Sequence, residues 1–225
     1  MISVIFDLDG TLVDSEPNYY ESGRRTLERH GVPGFTWEQH AAFIGIGTRE
    51  TLEILRERHT IEAPVDQLLA EQNAAYLELA RGRTRAFPEM RTFVERLHAE
   101  GIPMAVASGS SREAIEAVLA GTGLDALLST TVSAEEVERG KPAPDVFLEA
   151  ARRLGAHPAD CVVVEDAAPG ALAAHAAGME CVALPHAASA ADDPAFATAG
   201  LLFRTGHQEF TAEIAYDWLS EHRAA

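Results

Sequence analysis

Positive charge is scarce in this chain. Its 225 residues hold 18 Lys and Arg against 35 Asp and Glu, for a formal net charge of −17. Such an acidic surface has no excess of cations with which to neutralise a phosphate backbone, which argues against nucleic-acid binding. It does not exclude an anionic small molecule, because a metal ion or a few basic residues can reverse the field inside one cleft. Cysteine is nearly absent: there are two, Cys161 and Cys181. Both sit in apolar, strand-like runs and read as buried thiols of a reducing compartment, so a cytoplasmic location without a disulfide framework is expected. No apolar stretch reaches the roughly 18 residues that span a membrane, and the first residues lack the basic start and cleavage site of a secretory signal. The nine histidines are scattered, with no HExxH and no Cys/His cluster, which argues against zinc.

What is present is apolar material in a regular order. Hydrophobic residues make up 47 % of the chain, enough for a substantial core. Short apolar runs at residues 2–8, 104–108, 127–132, 161–165, 180–184 and 201–203 read as strands. Several are continuously apolar, as strands covered on both faces should be. Helical patterns lie between them at 89–100, 112–120, 144–154, 169–177 and about 211–222, and several stop at a glycine. The alternation predicts an α/β fold, a Rossmann-like parallel sheet with helices on both faces. One segment breaks the rhythm. Residues 15–85 carry helical patterns at about 16–30, 37–43, 48–58 and 65–80 and no convincing strand. The expected organisation is therefore a core domain from 1–14 and 86–225, with an all-α cap domain inserted at 15–85.

In open parallel sheets, ligands bind just beyond the carboxyl ends of the strands. Four groups of residues stand there: Asp7 and Asp9 in "VIFDLDGTLV", Ser108 after "MAVAS", Lys141 in "RGKPAPD", and Glu165 with Asp166 after "CVVVE". Carboxylates from separate loops, without His or Cys, make a hard oxygen site suited to Mg²⁺. A carboxylate beside such an ion can attack phosphorus and become an aspartyl-phosphate. A second carboxylate two residues on can protonate the leaving oxygen and later take a proton from water. A hydroxyl and an ammonium supply donors for the phosphoryl oxygens. Gly10 and Gly109 let backbone N–H groups approach those oxygens, and Thr11 beside Gly10 is expected among the substrate-binding residues.

Taken in order, Asp7-Leu8-Asp9-Gly10-Thr11, Ser108-Gly109, Lys141-Pro142 and Glu165-Asp166 resemble the four motifs of the haloacid dehalogenase superfamily. The helical insertion after the first motif is similar to that of its subclass with an α-helical cap, which includes small-molecule phosphatases and β-phosphoglucomutase. The resemblance implies Asp7 as nucleophile and metal ligand, and Asp9 as acid/base with its main-chain carbonyl on the metal. It implies that Ser108 and Lys141 hold the phosphoryl group and that Asp166 completes the Mg²⁺ site. Glu165 would bind the metal directly or through water. The superfamily's dehalogenases lack the second aspartate of the first motif, so Asp9 argues for phosphoryl transfer.

The plainer readings remain beside these. Asp-Gly is a turn signal, Ser108 could cap the helix that starts near Arg112, and Asp166 could cap the helix near Pro169. Arg49, in a Gly-rich loop of the cap, could reach the distal group of a substrate when the cap closes, or pair with Glu53 on a solvated helix face. The leading expectation is an Mg²⁺-dependent phosphatase of a small phosphomonoester, such as a sugar phosphate or a phosphoglycolate-like ester, acting as a monomer or weak homodimer. The alternative is β-phosphoglucomutase-type transfer between sugar hydroxyls. Within the resemblance the mutase carries a His and a Lys in the cap where this chain places Tyr19 and Gln72, which favours hydrolysis. A third reading is a non-catalytic binding module, since fold does not fix activity; a lost nucleophile or metal ligand would favour it, and neither is lost here.

Overall fold

The computed structural model describes residues 2–44 and 46–223. The chain divides into two compact units, one formed up to Asp14 and from Arg85 onward, the other by Ser15–Thr84. The first strand, β1 (Ser3–Phe6), is wholly buried and, after Ser3, apolar. After it the chain makes a two-residue strand, β2 (Val13–Asp14), and enters the helical unit through α1 (Glu16–Arg29), α2 (Trp37–Ala41), α3 (Thr48–Arg58) and α4 (Val65–Arg83). It returns through β3 (Arg85–Ala86), antiparallel to β2. There follow α5 (Pro88–Ala99), β4 (Met104–Ser108), α6 (Arg112–Thr122), β5 (Thr130–Ser133), α7 (Asp145–Leu154), β6 (Cys161–Glu165), α8 (Ala168–Ala176), β7 (Glu180–Ala183), β8 (Leu201–Leu202) and α9 (Ala212–Arg223).

The six-stranded sheet runs β5-β4-β1-β6-β7-β8, and every neighbouring pair is parallel. This is the expected α/β class with a parallel sheet. Successive side chains of a strand face opposite sides, and β1 shows both. Ile5 joins Ala105, Val132 and Val163 against Val146 and Phe147 of α7 and Ala171 of α8. Phe6 turns the other way, its ring 6.0 Å from Phe93 of α5, which lies 6.0 Å from Phe210 before α9. Phe93→Ala should therefore open a cavity between helix layer and sheet and lower unfolding free energy by about 3–5 kcal/mol, measurable by urea denaturation.

Several elements depart from the sequence reading. The fifth strand starts at Thr130 rather than 127, because Leu127 and Leu128 both donate to the Leu124 carbonyl in a turn. The first strand ends at Phe6, where the chain begins to turn toward Leu8. The β2–β3 ribbon was below the length that a hydrophobic pattern can reveal. Cys161 and Cys181 are buried and free, and burial pushes the Cys161 thiol up to about 11. Among the described residues no helix is long and apolar enough to cross a membrane.

Within the helical unit a separate core gathers Leu27, Phe35, Phe43, Leu52, Leu55, Ile61 and Leu68. Its two chain ends are tied by Asn18, whose side-chain amide donates to Thr84 Oγ1 at 2.7 Å. Thr36 and Gln39 form a reciprocal capping box that starts α2.

Candidate active site

The buried strand β1 delivers Asp7 to the carboxyl edge of the sheet. The Asp7 N–H donates to Val164 O at 3.0 Å, so its backbone is held to β6. Leu8 points back into the core, and its carbonyl accepts from the N–H groups of Leu12 and Val13. The intervening loop is thus folded into a tight turn. Gly10 stands at its apex with φ +83°, and its N–H donates to Val13 O at 2.9 Å. A Cβ on Gly10 would overlap Asp166 Oδ2. Positive φ and close approach both demand glycine here.

Lys141 is the only lysine in the chain, and it sits among these carboxylates. Its Nζ donates to Asp7 Oδ1 at 2.6 Å and to Glu165 Oε1 at 2.8 Å. It also lies 4.8 Å from the centre of the Phe147 ring. Burial disfavours the ammonium, but Asp7 and Glu165 outweigh burial and hold its pKa above the ordinary lysine value. Glu165 is itself 1 % exposed. Its Oε2 accepts from the Ala167 N–H at 2.6 Å, and its carboxylate lies so close to Gly170 that a Cβ there would overlap it. Burial raises the Glu165 pKa, opposed by Lys141 and reinforced by Asp7.

Asp166 accepts the Thr11 hydroxyl at 3.1 Å. Burial, then the negative charges of Glu165 and Asp7, push its carboxyl well above the usual carboxylate range. Three acids therefore stand near one ammonium, which bridges two of them, and the excess negative charge is of the kind a divalent cation neutralises. Among the described residues no three His, Cys, Asp or Glu side chains form a ready-made ion site. The acids gathered here, Asp7, Glu165 and Asp166, offer oxygen donors only, the donor type that a hard cation takes. Glu165, expected among the metal ligands, has one oxygen on Lys141 and the other on the Ala167 N–H.

Ser108 ends β4, and its Oγ accepts from the Ser110 N–H at 3.0 Å. The cap of α6 is Ser111, whose Oγ accepts from the Ala114 N–H at 3.2 Å. Ser108 is thus free of the capping role that the sequence left open. Ser110 Oγ donates to Asp9 Oδ2 at 2.6 Å, and Ser133 Oγ donates to the Ser110 carbonyl at 2.7 Å. Sequence reasoning passed over Ser110, although the run "SGSS" signals several hydroxyls at one strand exit. Gly109 has open space where a Cβ would stand, so close packing does not require glycine there. His207 was also passed over. Its ring lies against the carbonyl of Gly10, and no local motif marks it.

In the helical unit, Arg49 Nη2 donates to Asp66 Oδ1 of α4 at 2.7 Å, and both side chains are more than half exposed. The partner is Asp66 and not Glu53, since α4 passes beside the start of α3 in a way that spacing within one helix cannot reveal. Tyr19 stacks on Tyr76 with ring centres 4.4 Å apart, and Gln72 is buried beside Gly23.

A family model described as haloacid dehalogenase-like hydrolase matches residues 3–178. The chain belongs to the haloacid dehalogenase-like hydrolases. It is 33 % identical over 185 residues to a bifunctional riboflavin kinase/FMN phosphatase of Arabidopsis thaliana, matching 81 % of this chain and 48 % of that protein, so it spans about half that relative's length. It is 35 % identical over 179 residues to the fructose-1-phosphate phosphatase of Escherichia coli, with 80 % of this chain and 94 % of that one covered. A crystal structure of a haloacid dehalogenase family hydrolase from Deinococcus radiodurans, with bound phosphate and sodium, superposes with a TM-score of 0.71 at 30 % identity over 96 % of each chain. Among the haloacid dehalogenase-like hydrolases, the chain is a phosphoric monoester hydrolase.

Proposed function

We propose that this hydrolase cleaves a small phosphomonoester, a sugar phosphate or phosphoglycolate-like ester, with Asp7 as nucleophile and Mg²⁺ as cofactor. The observation that carries the reading is the Lys141 ammonium bridging Asp7 and Glu165 at the sheet edge. Asp7 and Asp166, with the main-chain carbonyl of Asp9, would hold the Mg²⁺. The ion, when bound, would offset the phosphoryl charge and that of the acids around it.

The chain's own residues do the rest. Asp7 uses a carboxylate oxygen to attack phosphorus, forming the aspartyl-phosphate as the ester oxygen leaves. Asp9, steadied by Ser110, gives its proton to that leaving oxygen and later takes one from the water that releases phosphate. Lys141 and Ser108 donate to the phosphoryl oxygens as charge builds on them. Gly10, Thr11 and Gly109 bring backbone N–H groups to the same oxygens. Glu165, gripping Lys141, keeps that ammonium aimed at Asp7. Arg49 carries the distal group of the substrate in this proposal, exchanging the Asp66 carboxylate for it.

A panel of sugar phosphates and small organic phosphates tests the reading. Phosphate release that needs added Mg²⁺ and stops in excess EDTA is the expected result. No release from any ester, with or without Mg²⁺, would overturn it. A parallel arm offers β-glucose 1-phosphate with glucose 1,6-bisphosphate. Isomerisation faster than phosphate release there would replace hydrolysis by the mutase reading.

A further inference from the structure

The structure assigns His207 as a positioning residue that aims the peptide group between Gly10 and Thr11 at the phosphoryl group. This inference rests on the phosphatase reading of the Asp7–Thr11 loop. His207 lies 197 residues along the chain from Gly10, in a short turn of helix at Gly206–Gln208. Its Nε2 stands 2.9 Å from the Gly10 carbonyl oxygen. A carbonyl only accepts, so Nε2 carries the proton and donates. Burial lowers the ring's pKa, opposed by the bond to Gly10, which favours the neutral ring with Nδ1 bare.

Two further contacts make the ring a fixture. It stacks on Phe87 with centres 3.4 Å apart and planes 16° from parallel. Phe87, which precedes α5, donates its N–H to Leu12 O at 3.1 Å. The same aromatic pair therefore holds the catalytic loop at two carbonyls, those of Gly10 and Leu12. Phe210 approaches the ring edge-on at 6.2 Å.

The consequence follows from peptide geometry. A trans peptide is planar, and its N–H points opposite to its C=O. Fixing the Gly10 carbonyl on His207 fixes the Thr11 N–H in the opposite direction. Gly10, at φ +83°, lacks the side-chain restraint that would hold this plane by itself. The Thr11 hydroxyl is held on Asp166, so the residue on the far side of that peptide is also anchored. A donor preset before charge develops on the phosphoryl oxygens stabilises the transition state without reorganising.

Two variants separate the hydrogen bond from the packing. His207→Phe keeps a ring on Phe87 and removes the donor. His207→Gln keeps a donor and gives up the stack. With p-nitrophenyl phosphate and Mg²⁺, His207→Phe should lose about tenfold in kcat with KM within about twofold, because the missing restraint matters most in the transition state. His207→Gln should recover most of that loss. In the wild-type protein, long-range ¹H–¹⁵N correlation should place the proton of His207 on Nε2. A His207→Phe variant as active as wild type, a His207→Gln variant as impaired as His207→Phe, or a proton on Nδ1 alone would overturn the assignment. Should His207→Phe fail to fold, His207→Gln and the wild-type tautomer decide the matter. Absence of turnover in the wild type would overturn the phosphatase reading instead, an outcome distinct from wild-type turnover that the Phe substitution leaves intact.

Discussion

Asp7→Asn lowers phosphatase turnover at least about a thousandfold, the scale on which losing a covalent nucleophile acts. The substitution is close to isosteric, and Asp7 is 6 % exposed, so packing is nearly preserved. An amide oxygen is a poor nucleophile toward phosphorus and a weaker ligand for a hard cation. Removing one negative charge also relieves the crowding that raises the Asp166 carboxyl, so the variant should remain folded. Its melting curve should stay cooperative while its activity disappears. The check is steady-state release of p-nitrophenol at saturating Mg²⁺, alongside circular dichroism. A variant within tenfold of wild type would remove Asp7 from the role of nucleophile.

Lys141→Met strikes both activity and stability. Met matches the length of the lysine stem and fills irregular space, so the change is chiefly one of charge. Asp7 and Glu165 would then face each other without the ammonium that now bridges them at 2.6 and 2.8 Å. Removing one partner from a buried ionic cluster typically costs about 3–5 kcal/mol, and loss of a phosphoryl donor typically costs about 10²- to 10³-fold in kcat. No other lysine exists in the chain to move into the gap. Urea denaturation and initial rates on the same preparation read the two effects separately. A variant with wild-type stability would mean that Lys141 does not neutralise these acids. One with wild-type kcat would mean that it does not touch the phosphoryl group.

Much of the parallel sheet was legible because its strands are buried on both faces. A run such as "MAVAS" or "CVVVE" then announces itself without alternation. The boundary errors fall where local hydrogen bonding competes with the pattern, as at Leu124–Leu128. Two-residue strands such as β2 and β3 carry no period at all. At the candidate site, Asp7, Lys141, Glu165 and Asp166 were readable from residue type at strand exits, and the structure brings these four side chains together. Ser110 was hidden among neighbouring serines. His207 could not be seen, since its partner is a backbone carbonyl, which any residue offers. Arg49 shows the same limit from the other side. Its carboxylate partner, Asp66, is 17 residues away on another helix, while the sequence pointed to one a helical turn off.

By itself, then, the sequence determined which segments must be buried and which charged groups must stand at the ends of buried strands. Burial and charge are properties of residue type and spacing. Tertiary structure alone decided the strand order that sets β1 between β4 and β6, the sharing of one ammonium by two acids, and the hold of His207 on the Gly10 carbonyl. Those depend on distances between residues 24 to 197 positions apart. Only the packing of helices against the sheet brings such residues within hydrogen-bond reach.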